Sequence, residues 1–177
     1  VVSETLPLLP PDISYDIFET VSNALYKNKY LNITYTRTDG YENEYKIMPL
    51  GLAQQGATLY LVARFDGYEN ERSLALHRIK KAKTSTIGFD RPKEFDLEKY
   101  NNDGRFGFGE GKKIKISFNI DKKAGAHLLE TPLSKDQTVI ENETDYEISA
   151  TVIDSLQLEW WIRKFGDDIV NVIKKEL

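Results

Sequence analysis

A chain of 177 residues with 40% hydrophobic content is long enough to bury one large core or two small ones. It has no cysteine, which excludes disulfides and thiolate metal sites and fits a reducing, cytoplasmic setting. A net charge of -4, with neither half basic, argues against binding nucleic acid by bulk electrostatics, and no apolar run approaches the roughly 20 residues of a membrane span.

The opening, VVSETLPLLPPD, has no initiator Met and lacks the charged region and apolar run of a secretory signal. We read residues 1–13 as a linker or tail, and expect the chain to be cut from a longer polypeptide. Ser14 to Tyr30 is predicted helical: Ile17, Val21, Ala24 and Leu25 recur at helical spacing and Ser14 can cap the start. The pattern then changes to period two. LNITYTR, EYKIMPLGLA, TLYLVARF and RSLALHRIKKA read as strands, by alternation or by β-branched and aromatic enrichment.

The hexapeptide DGYENE occurs twice, at Asp39 to Glu44 and at Asp66 to Glu71, with Arg37 and Arg64 two places ahead. Asp-Gly is a strong turn signal, so each copy reads as a hairpin tip. No third copy exists, which argues against a repeat architecture, and the acidic residues lack the 12-residue spacing of an EF-hand loop. Arg37 and Arg64 read as surface charges. The one dense cationic stretch, RIKKAK at Arg78 to Lys83, reads as a solvated strand end.

RPKEFDLEKYNNDGRFGFGEGKK is rich in Gly, Asn and charge, and we place a linker at 96–111. It is no phosphate loop, because Lys113 stands after Gly111-Lys112 where Ser or Thr is required. Beyond it come a strand (Lys113 to Ile120), a helix (Lys122 to Thr131), two strands (Thr138 to Glu141, Tyr146 to Ile153), a helix (Leu156 to Phe165) and a strand (Ile169 to Ile173). This β-α-β-β-α-β order is that of a ferredoxin-like sandwich. In the second helix Asp154 or Ser155 can cap the start, Leu158, Trp161, Ile162 and Phe165 form an apolar stripe, and Gly166 ends it. Trp160 lies at the stripe's edge, as core filler or as an interface residue. His127 sits on the first helix without a partner legible in sequence.

The ordered set of a helix, NITY, IMPLGLA, TLYLVAR, a charged loop, RSLALHRI and FDRPKEFDLEKY resembles a WYL domain, with Leu59, Tyr60 and Leu61 in place of the Trp-Tyr-Leu that names the family. The part from Lys113 onward, with Asp136-Gln137 and LEWWIRKFGDDI, is similar to the C-terminal extension that often follows such a domain. The resemblance implies an α+β chain: an Sm-like β-barrel with a leading helix at 14–95, then the ferredoxin-like unit at 112–177. It further implies the sensing region of a bacterial transcriptional regulator, acting as a homodimer, whose DNA reader would be an N-terminal winged helix-turn-helix. In that family the barrel is thought to bind a ligand, in some members a nucleic acid or nucleotide, through basic residues. Matched onto this chain, these are Arg72 and Arg78, with Tyr60 and His77 beside them.

On a straight strand Arg72, Leu74, Leu76 and Arg78 point to one face and Ser73, Ala75, His77 and Ile79 to the other. The two arginine stems would then stand about 20 Å apart, a distance that suits an oligonucleotide better than a mononucleotide. Arg72 could instead pair with the acidic tips, and Arg78 across the sheet. No nucleophile, metal or cofactor constellation is legible, so an enzyme is not expected and no cofactor is implied. The competing reading is an interaction or dimerisation module without a small ligand.

Overall fold

Val21 and Ala24, on the apolar stripe of the first helix, are fully buried in α1 (Tyr15–Tyr26). The computed structural model describes residues 8–177; of the expected tail at 1–13, residues 1–7 lie outside the described residues. The helix is shorter than expected. Asn28 takes a φ of 49° just after it and a strand starts at Lys29, so the chain reverses instead of continuing. Ser14 holds the N-cap position, but it contributes its carbonyl, which accepts from the Phe18 amide at 3.0 Å, and not its hydroxyl.

Five strands follow: β1 (Lys29–Thr36), β2 (Glu42–Gln55), β3 (Thr58–Phe65), β4 (Glu71–Ala75) and β5 (Ile79–Gly88). They pair antiparallel in the order β4-β3-β2-β1-β5. The expected Sm-like sheet is present with its seam open, because β4 passes into β5 through a 3₁₀ turn (Leu76–Arg78) and not across a ladder. Alternation along the strands sends Leu31, Ile33, Ile47, Leu61 and Leu74 to one core with Val21 and Ala24. Each fully buried Leu or Ile contributes about 1.5–3 kcal/mol.

Both repeated hexapeptides supply turns. Gly40 and Gly67 have φ of 84° and 82°, a region open to glycine at little cost. Asp39 to Tyr41 forms the first tip, closed by the Arg37 amide donating to the Tyr41 carbonyl at 2.9 Å, and Glu42 already belongs to β2. The expected single strand RSLALHRIKKA is broken. Leu74, Ala75 and Leu76 are all buried, which a period-two strand cannot achieve against one core, and the chain turns the corner at Leu76.

After β5 the chain runs back across the outer side of β2. The Arg91 guanidinium donates to the Leu50 carbonyl, and a Cβ at Gly51 would come within 2.9 Å of the Leu97 side chain. The stretch read as a linker carries α2 (Leu97–Asn102) and a 3₁₀ turn (Arg105–Gly107), and the chain divides into compact units between Leu97 and Glu98.

The second unit comprises β6 (Lys113–Asp121), α3 (Lys122–Gly125), α4 (His127–Glu130), β7 (Thr138–Glu141), β8 (Asp145–Ile153), α5 (Leu156–Arg163) and β9 (Ile169–Glu176). Its sheet is antiparallel in the order β7-β8-β6-β9, the ferredoxin-like arrangement expected from the element order. Ile114, Ile116, Phe118 and Ile120 alternate along β6 into the core. The helix expected over Lys122 to Thr131 is split at Ala126, behind a glycine that weakens it. Ser155, not Asp154, caps α5: its hydroxyl accepts from the Leu158 amide at 3.2 Å. Gly166, with φ of 54°, follows the helix as expected.

Candidate nucleic-acid or nucleotide interface

Register decides which candidate residues meet. Tyr60 stands opposite Ala75, and Ala63 opposite Arg72, on the β3 and β4 ladder. Opposed residues share a face and faces alternate along a strand, so Tyr60 and Arg72 lie on opposite sides of this ribbon. His77 and Arg78 occupy the 3₁₀ turn just beyond Ala75. Tyr60 is thus paired with the last residue of β4, which leads into the turn carrying His77 and Arg78, and Arg72 lies farther along the ladder.

Among the described residues Arg72 forms no ion pair with the acidic groups of the tips. Its guanidinium lies 5.1 Å from the Phe65 ring and 5.4 Å from the Tyr68 ring, at the end of the core-facing side. Such a stack leaves the in-plane donors of the fork open to an anion. Among the described residues neither Arg72 nor Arg78 forms an ion pair. The straight-strand separation of the two arginines is also shortened, because a 3₁₀ turn rises about 2 Å per residue where a strand rises about 3.3 Å.

Burial lowers the pKa of His77, and the neighbouring charges of Arg78 and Lys80 lower it further. Its Nδ1 is buried without a hydrogen-bond partner. An anion arriving at this corner would oppose both electrostatic effects and favour the protonated ring.

Arg64 is not the surface charge expected from sequence. It sits opposite Glu71 on the ladder, its side chain is 15% exposed, and it donates to Glu71 at 2.7 Å and to Glu94 at 2.9 Å. Burial disfavours its charge, but the bonds to Glu94 and Glu71 outweigh that and raise its pKa. Arg37, by contrast, pairs with Asp39 in solvent.

In the second unit the Asp136-Gln137 pair is architectural. Gln137 accepts from the Leu133 amide at 2.9 Å and donates to the Leu128 carbonyl at 2.8 Å. Asp136 accepts from the Ser134 hydroxyl at 2.5 Å, and from the Thr151 hydroxyl and amide at 2.6 and 3.0 Å. His127 finds a partner in Phe165, stacked at 5.9 Å.

The stretch read as a solvated strand end contributes Lys81 and Lys83 to the outer face of the first sheet, where with Lys46, which sequence reading did not join to them, they stand around a shallow groove. The alternation of Lys81 and Lys83 was the available signal; the approach of Lys46 depends on strand register.

Residues 16–84 match the family model of the WYL domain. This segment is a WYL domain. Among the solved structures that resemble the chain are two of low sequence identity. Proteasome accessory factor B/C (PafBC) of Arthrobacter aurescens is 19% identical, with a TM-score of 0.47, over 94% of this chain and 26% of its own length. A CRISPR Cas-related protein is 17% identical, with a TM-score of 0.50, over 87% of this chain and 45% of its own, and it shares the fold of the WYL domain and the unit that follows. The chain therefore spans less than half the length of either. No curated protein matches it.

Proposed function

We propose that the WYL domain is the sensing part of a bacterial transcriptional regulator and that it takes a nucleic acid or nucleotide at the corner between β4 and β5. Arg78 and His77 meet the phosphate there, Tyr60 offers a ring and hydroxyl from β3, and Arg72 is a further cation on the opposite side of the ribbon. One observation carries this reading: in an acidic chain Arg72 and Arg78, on either side of a buried core segment, form no ion pair among the described residues. The cytoplasm is the expected setting.

The test is a thermal-shift panel of short single-stranded DNA, RNA and mononucleotides at two ionic strengths. A ligand of the native state raises the melting temperature by mass action, and phosphate recognition shows as affinity falling steeply with salt. Arg78→Ala is expected to weaken the best ligand by about 1.5–3 kcal/mol, the worth of a hydrogen bond to a charged group. Unchanged affinity in both Arg72→Ala and Arg78→Ala would leave the interaction-module reading standing. That second reading is favoured by Trp160, 51% exposed and edge-on to the exposed Phe108 ring at 6.0 Å.

A further inference from the structure

The outer face of the first sheet carries a second cationic site, separate from the corner at Arg78. Register sets Lys83, Asn32 and Lys46 side by side across β5, β1 and β2, with Lys81, Thr34 and Glu44 in the next row. Opposed residues share a face, so all six point the same way. The rows are about 7 Å apart and the outer strands about 10 Å. Flexible lysine stems can close that triangle on a single group. Between them lies a groove of about 390 Å³, within the range of small-molecule sites, which begins near 300 Å³. Thr34, buried although polar, is part of its lining.

Lys81 and Lys83 form no ion pair among the described residues. Lys46 is 3.4 Å from Asp66 and 4.6 Å from the Tyr30 ring centre. Lysines on β5 also discourage edge pairing, since β5 ends the sheet. Edge protection accounts for Lys81 and Lys83; it does not account for Lys46, which lies on β2 in the sheet's interior.

The geometry points to a phosphate-binding groove, formed by Lys46, Lys81 and Lys83 and taking a small phosphorylated ligand of the nucleoside diphosphate kind. Lysines act as point charges and lack the planar fork that fits a carboxylate two-pronged, so a tetrahedral group of several oxygens suits them. Glu44 lines the groove on the β2 side and Asp66 stands beside Lys46; both repel a phosphodiester chain continuing that way, which favours a compact ligand over a strand.

Calorimetric titration of the full chain with inorganic pyrophosphate, ADP and a short single-stranded DNA separates the sources. Pyrophosphate and ADP are expected to bind, and the Lys81→Gln/Lys83→Gln double variant to weaken both by about tenfold or more, as lost charge-assisted bonds do. The component of binding that the lysine variant removes should persist within about twofold in Arg72→Gln and Arg78→Gln, whereas nucleotide bound at the corner proposed above is lost in Arg78→Gln and kept in the lysine variant, which distinguishes the two sites. Glu44→Gln should tighten it by removing a like charge. The proposal is overturned if neither small ligand binds, if the lysine double variant binds as the parent does, or if only the oligonucleotide depends on these lysines.

Discussion

Asp136 shows how one side chain can hold a loop through its charge. Its pKa is pushed well below the ordinary carboxylate range by bonds from the Ser134 hydroxyl and from the Thr151 hydroxyl and amide, against a small opposing burial effect, with Lys115 adding at 3.2 Å. A carboxylate more acidic in the folded state contributes stability that is complete above its unfolded pKa of about 3.9 and is lost as pH falls through the folded value. Asp136→Asn is therefore expected to lower the urea midpoint at neutral pH, with the gap to the parent closing as pH drops below about 4. A gap independent of pH would show that the ionised form carries none of the effect. Arg37 and Arg64 mark where reading at this scale stops. Both stand two places ahead of Asp-Gly, yet one is in solvent and the other is bound to two carboxylates, because Arg64 alone faces Glu71 across a ladder and meets Glu94 from a returning segment.

Elements were legible where a local pattern and its tertiary use agree. The hairpin tips, the Ser155 cap and the β-α-β-β-α-β order all follow from turn residues, capping residues and periodicity near in sequence. The corner at Leu76 was not, since alternation across Leu74 and Leu76 looks like a strand, and only the burial of Ala75 between them forces the turn. For the same reason Tyr60 and His77 were placed near each other by resemblance, while the separation of Tyr60 from Arg72 waited on register. The split between α3 and α4 gives a test whose sign differs from helix propensity. An exposed helical glycine gains about 1 kcal/mol on replacement by alanine, but a Cβ at Gly125 would stand 2.5 Å from Ile120 Cγ2, on a stiff and buried side chain. Gly125→Ala is expected to destabilise by about 1–3 kcal/mol, as overpacking does. A gain in the urea midpoint would mean that Ile120 yields at no cost.

At the scale of the whole molecule, four strand edges have to be kept from uncontrolled pairing. β4 and β7 are short, β5 carries Lys80, Lys81 and Lys83, and β9 carries Lys174 and Lys175 with a break in regular geometry at Asn171, whose φ is 54°. Short and lysine-bearing edges discourage strand addition, so association through the sheets is disfavoured. Exposed apolar side chains occur in both units; in the second, Phe108 and Leu156 border one groove and Trp160 meets the Phe108 ring. Clustered exposed apolar groups of this kind mark contact surfaces, and tryptophan is among the residues that dominate interface energetics. A homodimer that uses Trp160 is the expected state, with a total buried area above about 1,000 Å² if it is to persist at micromolar concentration. Sedimentation equilibrium of the full chain at tens of micromolar should give the dimer mass, and Trp160→Lys should shift it toward monomer while far-ultraviolet circular dichroism stays unchanged, because half of that ring already lies in solvent. Lys81→Gln/Lys83→Gln should leave the mass as it was. A parent chain that sediments as a monomer, or a Trp160 variant that remains fully dimeric, would remove this surface from the assembly.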